Sequence, residues 1–394
     1  MSRFVFTLAF ILICWLPIHA QTELDERAVI SFEKGLGFHA PDSAFGLNLR
    51  FRIQNRMGLK NTLGNDVLID EVEARIRRLR LRIDGYTKNQ RLTYFLQLSF
   101  SRDDQDWDNS KIPNVVRDAM VYYRFNPKFY IGFGQGKLPG NRQRINSSGQ
   151  LQFADRSIVN AEFNIDRDFG LMLYFSDNLG VIDYNLKGAI SSGEGRNNLK
   201  SDNGLAYTGR IELLPLGKFL FDGDFSEGDL VREIRPKLAL SVGYSFNHKA
   251  LKEAGQRGVF LYEPRDIHTF YGDLLFKYMG WAWSSELMQR NVDNPLTYAG
   301  EDSIHIVTGK GFTTQLSHYL INTWEVAGRF SMIEPDHKVS ALEAAQTEYT
   351  LGVTKYIRKH RVKAQGNVTY GIFRPLTGPE NAYLNVQFQV ELGI

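Results

Sequence analysis

Apolar and polar residues alternate strictly along parts of this chain, most clearly from Arg78 to Asp84. Arg78, Arg80, Arg82 and Asp84 fall on one face of that run, and Leu79, Leu81 and Ile83 on the other. Successive side chains of a strand point to opposite faces, so a period of two predicts a strand. A strand with an arginine face and an aliphatic face needs water on one side and an apolar phase on the other. In a soluble sheet the aliphatic face is core and the arginines meet solvent. In an outer-membrane barrel the aliphatic face meets lipid and the arginines line a water-filled lumen.

The same alternation recurs from Phe45 to the C-terminus. The first segment sets Phe45, Leu47, Leu49, Phe51 and Ile53 against Asn48, Arg50, Arg52, Gln54 and Arg56. The second runs from about Val72 to Gly85 and slips phase at Arg77–Arg78, which predicts a bulge or bend there. The third presents Leu92, Tyr94, Leu96, Leu98 and Phe100 outward, and the last presents Ala382, Leu384, Val386, Phe388, Val390 and Leu392 outward. With the segments between them, near 115–125, 128–137, 168–176, 180–191, 205–214, 237–248, 266–279, 281–292, 308–320, 322–332, 346–357 and 360–371, about sixteen strands are expected. The fold class read here is all-β, a transmembrane antiparallel barrel over 45–394.

The connections carry independent information, because short and long ones alternate. Short ones include Thr87–Asn89, Asn126–Pro127, Asp177–Asn178, Met279–Gly280, Ile321–Asn322 and Arg358–Lys359. Long ones lie near 58–71, 102–114, 138–167, 192–204, 249–265, 293–307 and 333–345. Short periplasmic turns and long outer loops give that alternation. The 215–236 connection is long where a short turn belongs, which predicts either a periplasmic excursion or a misread strand. Trp281, Trp283, Tyr278 and Trp324 fall near short turns on outward phases and predict a periplasmic aromatic girdle.

Composition agrees. Residues 1–20 read as a signal peptide: Arg3, an apolar run from Phe4 to Leu16, and a small residue, Ala20, at the end. The apolar run is short for a membrane-spanning helix. Cys14, the only cysteine, lies in this segment, and bulky Ile13 before it argues against a lipoprotein signal. The mature chain therefore offers no disulfide or thiolate site. Removing Arg3 lowers the formal charge from +3 to +2, so the whole-chain charge names no partner and nothing points to nucleic acid. Mean hydropathy is −0.29, as expected when lumen and lipid residues alternate. Residues 21–44, polar and then glycine-bearing at Gly35 and Gly37, read as a periplasmic lead-in.

Several stretches carry a resemblance to a known family: Glu33–Phe38, Arg77–Arg78 with Arg80–Tyr86, Asp118–Asn126, Gly134–Pro139, Phe153–Ser157 and Arg167–Gly170. In order and spacing they resemble the phosphate-selective porin O and P family of Gram-negative outer membranes. Gly136 stands where the family often has a bulky aromatic, and the chain ends on Ile394 rather than an aromatic. The resemblance implies a homotrimer of sixteen-stranded barrels in contact with outer-membrane lipid and lipopolysaccharide. It also implies an inward constriction loop, placed here at 138–167, and basic residues along an anion path. No cofactor, turnover or metal is expected.

By strand phase Arg50, Arg52, Arg56, Arg78, Arg80 and Arg82 face the lumen, and Arg75 and Arg77 do so across the phase slip. Same-face residues are spaced about 6.6 Å apart, so these guanidiniums form a ladder. Arginine stays charged and offers forked donors to phosphate oxygens. Lys137, Arg142 and Arg144 enter the constriction loop and are candidates to complete the filter. The expected function is passive diffusion of small anions, phosphate or polyphosphate foremost. The alternative is a general diffusion porin, in which an arginine wall faces acidic residues such as Glu73, Asp84, Asp155, Asp166 and Asp168 and creates a transverse field.

Other motifs carry less. Asp104, Asp106 and Asp108 have the one-three-five spacing of a calcium loop, but Asn109 stands at the glycine position and Val115 at the twelfth. A solvated loop tip, or one bridged by divalent ions or lipopolysaccharide, is the alternative. Gly132–Lys137 lacks the spacing and the Ser or Thr of a phosphate-cradling loop. Its glycines predict room for the inward loop. The scattered histidines nominate no site.

Overall fold

The computed structural model describes residues 29–32, 35–40, 44–64, 69–87, 90–105, 114–198, 204–255 and 258–394. The segment read as a signal peptide, 1–20, lies outside them. Two short strands come first, β1 (Val29–Ser31) and β2 (Leu36–His39). The next eight are β3 (Phe45–Thr62), β4 (Glu71–Thr87), β5 (Leu92–Ser99), β6 (Val116–Arg124), β7 (Phe129–Lys137), β8 (Arg167–Leu179), β9 (Ile182–Ser191) and β10 (Ala206–Leu214). They are followed by β11 (Lys237–Lys252), β12 (Phe260–Tyr278), β13 (Trp281–Asn291) and an outer-loop hairpin of β14 (Leu296–Ala299) and β15 (Asp302–His305). The chain finishes with β16 (Gly309–Tyr319), β17 (Trp324–Pro335), β18 (Ala345–Arg358), β19 (Val362–Arg374) and β20 (Asn381–Gly393).

Strands β3 to β13 and β16 to β20 form a closed antiparallel barrel of sixteen strands. Closure pairs β20 with β3, for example Phe388 with Met57 and Gly393 with Arg52. Closure leaves no unpaired edge within the apolar phase. Below the end of β20, β2 takes over the pairing with β3, from Leu36 opposite Leu49 to His39 opposite Gly46. The expected faces hold. On β20, Leu384, Val386, Phe388, Val390 and Leu392 are exposed, whereas Gln389 and Glu391 are buried inside. Tyr278, Trp281, Trp283 and Trp324 are exposed beside the short turns. The turn expected at Asp177–Asn178 comes slightly later, since β8 continues to Leu179.

The expected bulge is present: Gln54 pairs with Arg78 and Asn55 with Ile76, leaving Arg77 extra. A second bulge sits on β6, where Gln97 pairs with Asp118 and Leu98 with Val116, leaving Arg117 extra. It turns Arg117 inward together with Asp118, and both are buried.

The 138–166 loop folds into the lumen and is bolted to the β10–β20 side. Asn141 donates to Glu286 at 3.0 Å and Arg142 to Asp273 at 2.7 Å. Lys363 reaches the Leu151 carbonyl at 2.7 Å, Thr354 the Gln152 carbonyl at 3.0 Å, and Arg329 the Asp155 carbonyl at 2.9 Å. The room the loop needs is not at Gly132–Gly136. A Cβ at Gly136 would lie 2.7 Å from Met120 Cγ, so that space is taken by the neighbouring strand. The loop packs instead on β16, where a Cβ at Gly311 would lie 2.7 Å from Val159 Cγ1. Val159 and Phe163 join Tyr271, Met288 and Ile333 in a buried cluster there.

The 215–236 connection is neither misread nor an outward excursion. It turns up into the barrel, burying Asp224, Glu227, Asp229 and Glu233. Buried Lys277 of β12 holds it, donating to the carbonyls of Gly223 at 2.6 Å, Ser226 at 2.9 Å and Gly228 at 2.7 Å. It meets the inward loop directly, through Glu227 N to the Gln150 carbonyl at 3.1 Å and Gln152 N to Glu227 Oε2 at 2.8 Å. Lys277→Met removes the one donor common to three carbonyls; Ser226 still reaches those of Gly223 and Gly228, so the Ser226 carbonyl is left bare, at about 1–3 kcal/mol if it stays buried. The connection is then expected to leave its seat. Faster tryptic cleavage after Lys218 or Arg232 checks this; a digestion pattern identical to the parent protein would refute it.

Candidate functional site: a guanidinium constriction

Because the inward loop hugs the β10–β20 side, two chambers remain on the side of β4 to β8. The inner chamber, of about 1200 Å³, is bounded in part by the 215–236 connection. The outer chamber, of about 460 Å³, lies under the outer loops. Six residues line both and so mark the narrowing between them: Arg80, Arg117, Leu138, Arg144, Arg156 and Arg167. Five of the six are arginines. Strands β4, β6 and β8 supply Arg80, Arg117 and Arg167, and the loop supplies Arg144 and Arg156.

Three carboxylates compensate part of that charge. Arg80 Nη2 lies 2.5 Å and Arg117 Nη1 2.8 Å from Asp104. Arg167 Nε lies 2.8 Å from Asp118, and its Nη1 lies 2.9 Å from Asp166, which also pairs with Arg144. Burial works against ionisation of Asp104 and Asp166, but the flanking guanidiniums hold both well below the usual carboxylate range. Among the described residues no carboxylate lies within ion-pairing distance of Arg156, although Glu227 and Asp166 act on it from farther off. Its Nε donates to the Gln143 carbonyl at 2.5 Å and its Nη2 to the Asn146 carbonyl at 2.9 Å. Burial, and then the like charge of Arg144, push the Arg156 guanidinium down to about 9. At neutral pH it remains charged, so it is a pre-aimed and poorly compensated cation.

Of the residues nominated from sequence, Arg80 and Arg144 stand at this narrowing. Arg77 and Arg78 line the outer chamber, but together with Arg56 they surround Asp155. Those cations hold the Asp155 carboxyl far below its ordinary value despite its burial. Arg56 also donates to the Ala154 carbonyl at 2.9 Å, and Arg52 to Ser148 Oγ at 2.8 Å, so both tie the loop to the wall. Arg82 lines the inner chamber and shares Asp84 with Arg50. Arg75 pairs with Glu73 at 2.5 Å near the outer end. Lys137 lines the inner chamber, with Nζ on the carbonyls of Ile145 at 2.7 Å and Asn146 at 3.0 Å. Arg142 lines neither chamber; it is 3% exposed and anchors the loop through Glu212 and Asp273. The ladder is thus dense but largely ion-paired.

Sequence reasoning left out Arg117, Arg156 and Arg167 as site residues. Arg156 and Arg167 sit inside the motifs of the family resemblance, which was the signal for them. Arg117 is on the outward phase of its strand and reaches the lumen only through the bulge. The calcium-like spacing dissolves in part: Asp104 is turned inward onto Arg80 and Arg117, and Asp106 and Asp108 lie outside the described residues. Among the described residues no group of three or more His, Cys, Asp or Glu is placed to hold a metal ion.

A family model described as phosphate-selective porin O and P matches residues 47–370. No curated protein matches the chain. Among solved structures, an anion-selective porin from Comamonas acidovorans aligns with a TM-score of 0.57 at 13% identity, covering 89% of this chain and 100% of that one. The outer-membrane channel DcaP of Acinetobacter baumannii aligns with a TM-score of 0.56 at 10% identity, covering 91% and 99%. OprB of Pseudomonas putida aligns with a TM-score of 0.58 at 8% identity, covering 90% and 95%. At these identities the likeness is one of fold.

Proposed function

The chain belongs to the phosphate-selective porin O and P family, and from that premise we propose that it passes small anions across the outer membrane, with inorganic phosphate or polyphosphate the favoured solute. The observation that carries the reading is the composition of the narrowing: five guanidiniums against three carboxylates, with Arg156 unpaired by any acid. A fixed positive charge in a narrow aqueous path attracts anions, and partial compensation keeps binding weak enough for exit. Guanidinium forks match phosphate oxygens. An anion leaving the outer chamber passes from Arg77 and Arg78, whose charge Asp155 partly cancels, to Arg144, partly cancelled by Asp166, and the less compensated Arg156. Assembly as a homotrimer and export behind a cleaved signal peptide belong to the same proposal.

A general diffusion porin needs an acidic loop opposite an arginine wall. Here the loop carries Asp155 and Asp166 but also brings Arg144 and Arg156 to the narrowing, where guanidiniums outnumber carboxylates, which favours the anion reading. The test is chloride conductance of the purified protein in a planar bilayer, titrated with phosphate. An anion-selective reversal potential with block of chloride current at low phosphate is expected. Anion preference without block removes phosphate as the favoured solute, and equal passage of cations and anions returns the general porin.

A further inference from the structure

The inner chamber differs in chemistry from the narrowing above it. Beside Arg82 and Lys187 its wall carries the rings of Tyr86, Phe95, Tyr122 and Tyr174, and the 215–236 connection adds Phe225. Tyr130 and Tyr174 stack with centroids 4.5 Å apart and 10° between planes. Tyr122 leans on Tyr130 at 6.1 Å and on Tyr174 at 6.2 Å. A slot of about 280 Å³ opens among Thr93, Tyr122, Arg124, Tyr130 and Tyr174, and it shares Thr93, Tyr122 and Tyr174 with the inner chamber.

Cations sit over these rings. Arg82 lies 4.5 Å from the Phe95 centroid, Arg124 5.1 Å from Tyr130, and Lys187 5.4 Å from Phe225. The hydroxyls of Tyr122 and Tyr130 have no hydrogen-bond partner among the described residues. A bare phosphate gains nothing from an aromatic face, whose quadrupole is negative. A solute with both a ring and a phosphate gains from each component: the ring face stacks, the tyrosine hydroxyls donate, and the adjacent guanidinium takes the phosphate. The station is separate from the narrowing, because Tyr122 lies five residues along β6 from Arg117. At the strand rise that is roughly 16 Å, too far for one small solute to span.

Resting on the anion-path reading above, we propose that the inner chamber is a second solute site, selective for phosphate monoesters that carry a ring. The ring lies against the Tyr122–Tyr130–Tyr174 cluster and the phosphate on Arg124 or Arg82.

The test compares the concentrations at which inorganic phosphate, glycerol 3-phosphate, glucose 6-phosphate and phenyl phosphate half-block the chloride current, each added on the periplasmic side. Stacking on a tyrosine face is expected to lower the half-block concentration of both ring-bearing esters roughly fivefold below that of glycerol 3-phosphate. Tyr130→Leu should erase that advantage and leave inorganic phosphate unchanged. Tyr130→Phe, which keeps the packing, should keep the advantage of phenyl phosphate and reduce that of glucose 6-phosphate, so a misfolded leucine variant does not protect the idea. Equal block by ring-bearing and chain esters in the parent protein overturns the site, as does a tyrosine variant that shifts inorganic phosphate equally. Block by inorganic phosphate without a ring advantage overturns this site alone. No block by any phosphate overturns both this site and phosphate as the favoured solute of the anion path.

Discussion

Replacing Arg156 with glutamine is expected to raise the phosphate concentration that half-blocks chloride current by about tenfold to a hundredfold, the cost of one hydrogen bond to a charged group. Three features single this residue out. It stands at the narrowing between the chambers. Its Nε and Nη2 are spent on the carbonyls of Gln143 and Asn146, which fix the guanidinium and leave Nη1 for a solute. No carboxylate lies within ion-pairing distance, and Glu227 and Asp166 act on it only from farther off, so much of its positive field reaches an entering anion. Arg144→Gln should cost less, because Asp166 already cancels part of Arg144, and Asp166 would retain Arg167. Arg82→Gln should barely move inorganic phosphate, since Arg82 sits below the narrowing and shares Asp84 with Arg50. A half-block concentration in Arg156→Gln equal to that of the parent, with the same reversal potential, would sink the claim that this guanidinium sets the affinity.

The contrast between Arg156 and the arginines that first drew attention shows what alternation does and does not encode. A period of two states which face of a strand is wet, and on that point Arg50 to Arg56 and Arg78 to Arg82 were legible, as were the sixteen strands and the bulge at Arg77–Arg78. It does not state who is paired with whom. Asp155 is distant in sequence from Arg56, Arg77 and Arg78, and only the inward fold of the loop carries it to them. Much of the ladder thereby becomes a mooring for the loop. Arg117 escaped for a second reason: a bulge shifts the phase by one residue, so an outward position became an inward one. The 215–236 connection escaped for a third. Length flagged it, but its direction depends on Lys277, a lumen-facing lysine on a strand whose alternation looks like any other.

Arg142→Met is expected to loosen the loop and to destabilise the protein by about 3 kcal/mol, the lower end of the cost of breaking a buried ion pair. The Arg142 guanidinium is 3% exposed and reaches four elements at once, Ser241 Oγ of β11 at 3.1 Å among them. Its Nη2 lies 2.5 Å from Glu212 on β10, its Nε 2.7 Å from Asp273 on β12, and its Nη1 donates to the Asp224 carbonyl of the 215–236 connection at 3.1 Å. Burial opposes the charge, but Asp273 and Glu212 outweigh it and hold the guanidinium above its ordinary range. Methionine fills much of the volume but leaves both carboxylates facing fewer cations. They keep Arg210, 2.6 Å from Asp273, and Lys187, 3.3 Å from Glu212, which is why the loss falls at the lower end. The strand ladder does not depend on Arg142, so the barrel should still close. The inward loop and the periplasmic connection, however, lose a shared bolt. Larger and noisier single-channel conductance, with a lower melting temperature, is the expected result. Adding Glu212→Gln should cost further stability, because it takes the carboxylate from Lys187, and should leave the noise, because the tether itself stays absent. Conductance and noise unchanged in Arg142→Met would mean that the loop's other ties, the carbonyl contacts of Leu151, Gln152 and Asp155 and the arginine moorings on β3 and β4, hold it without Arg142.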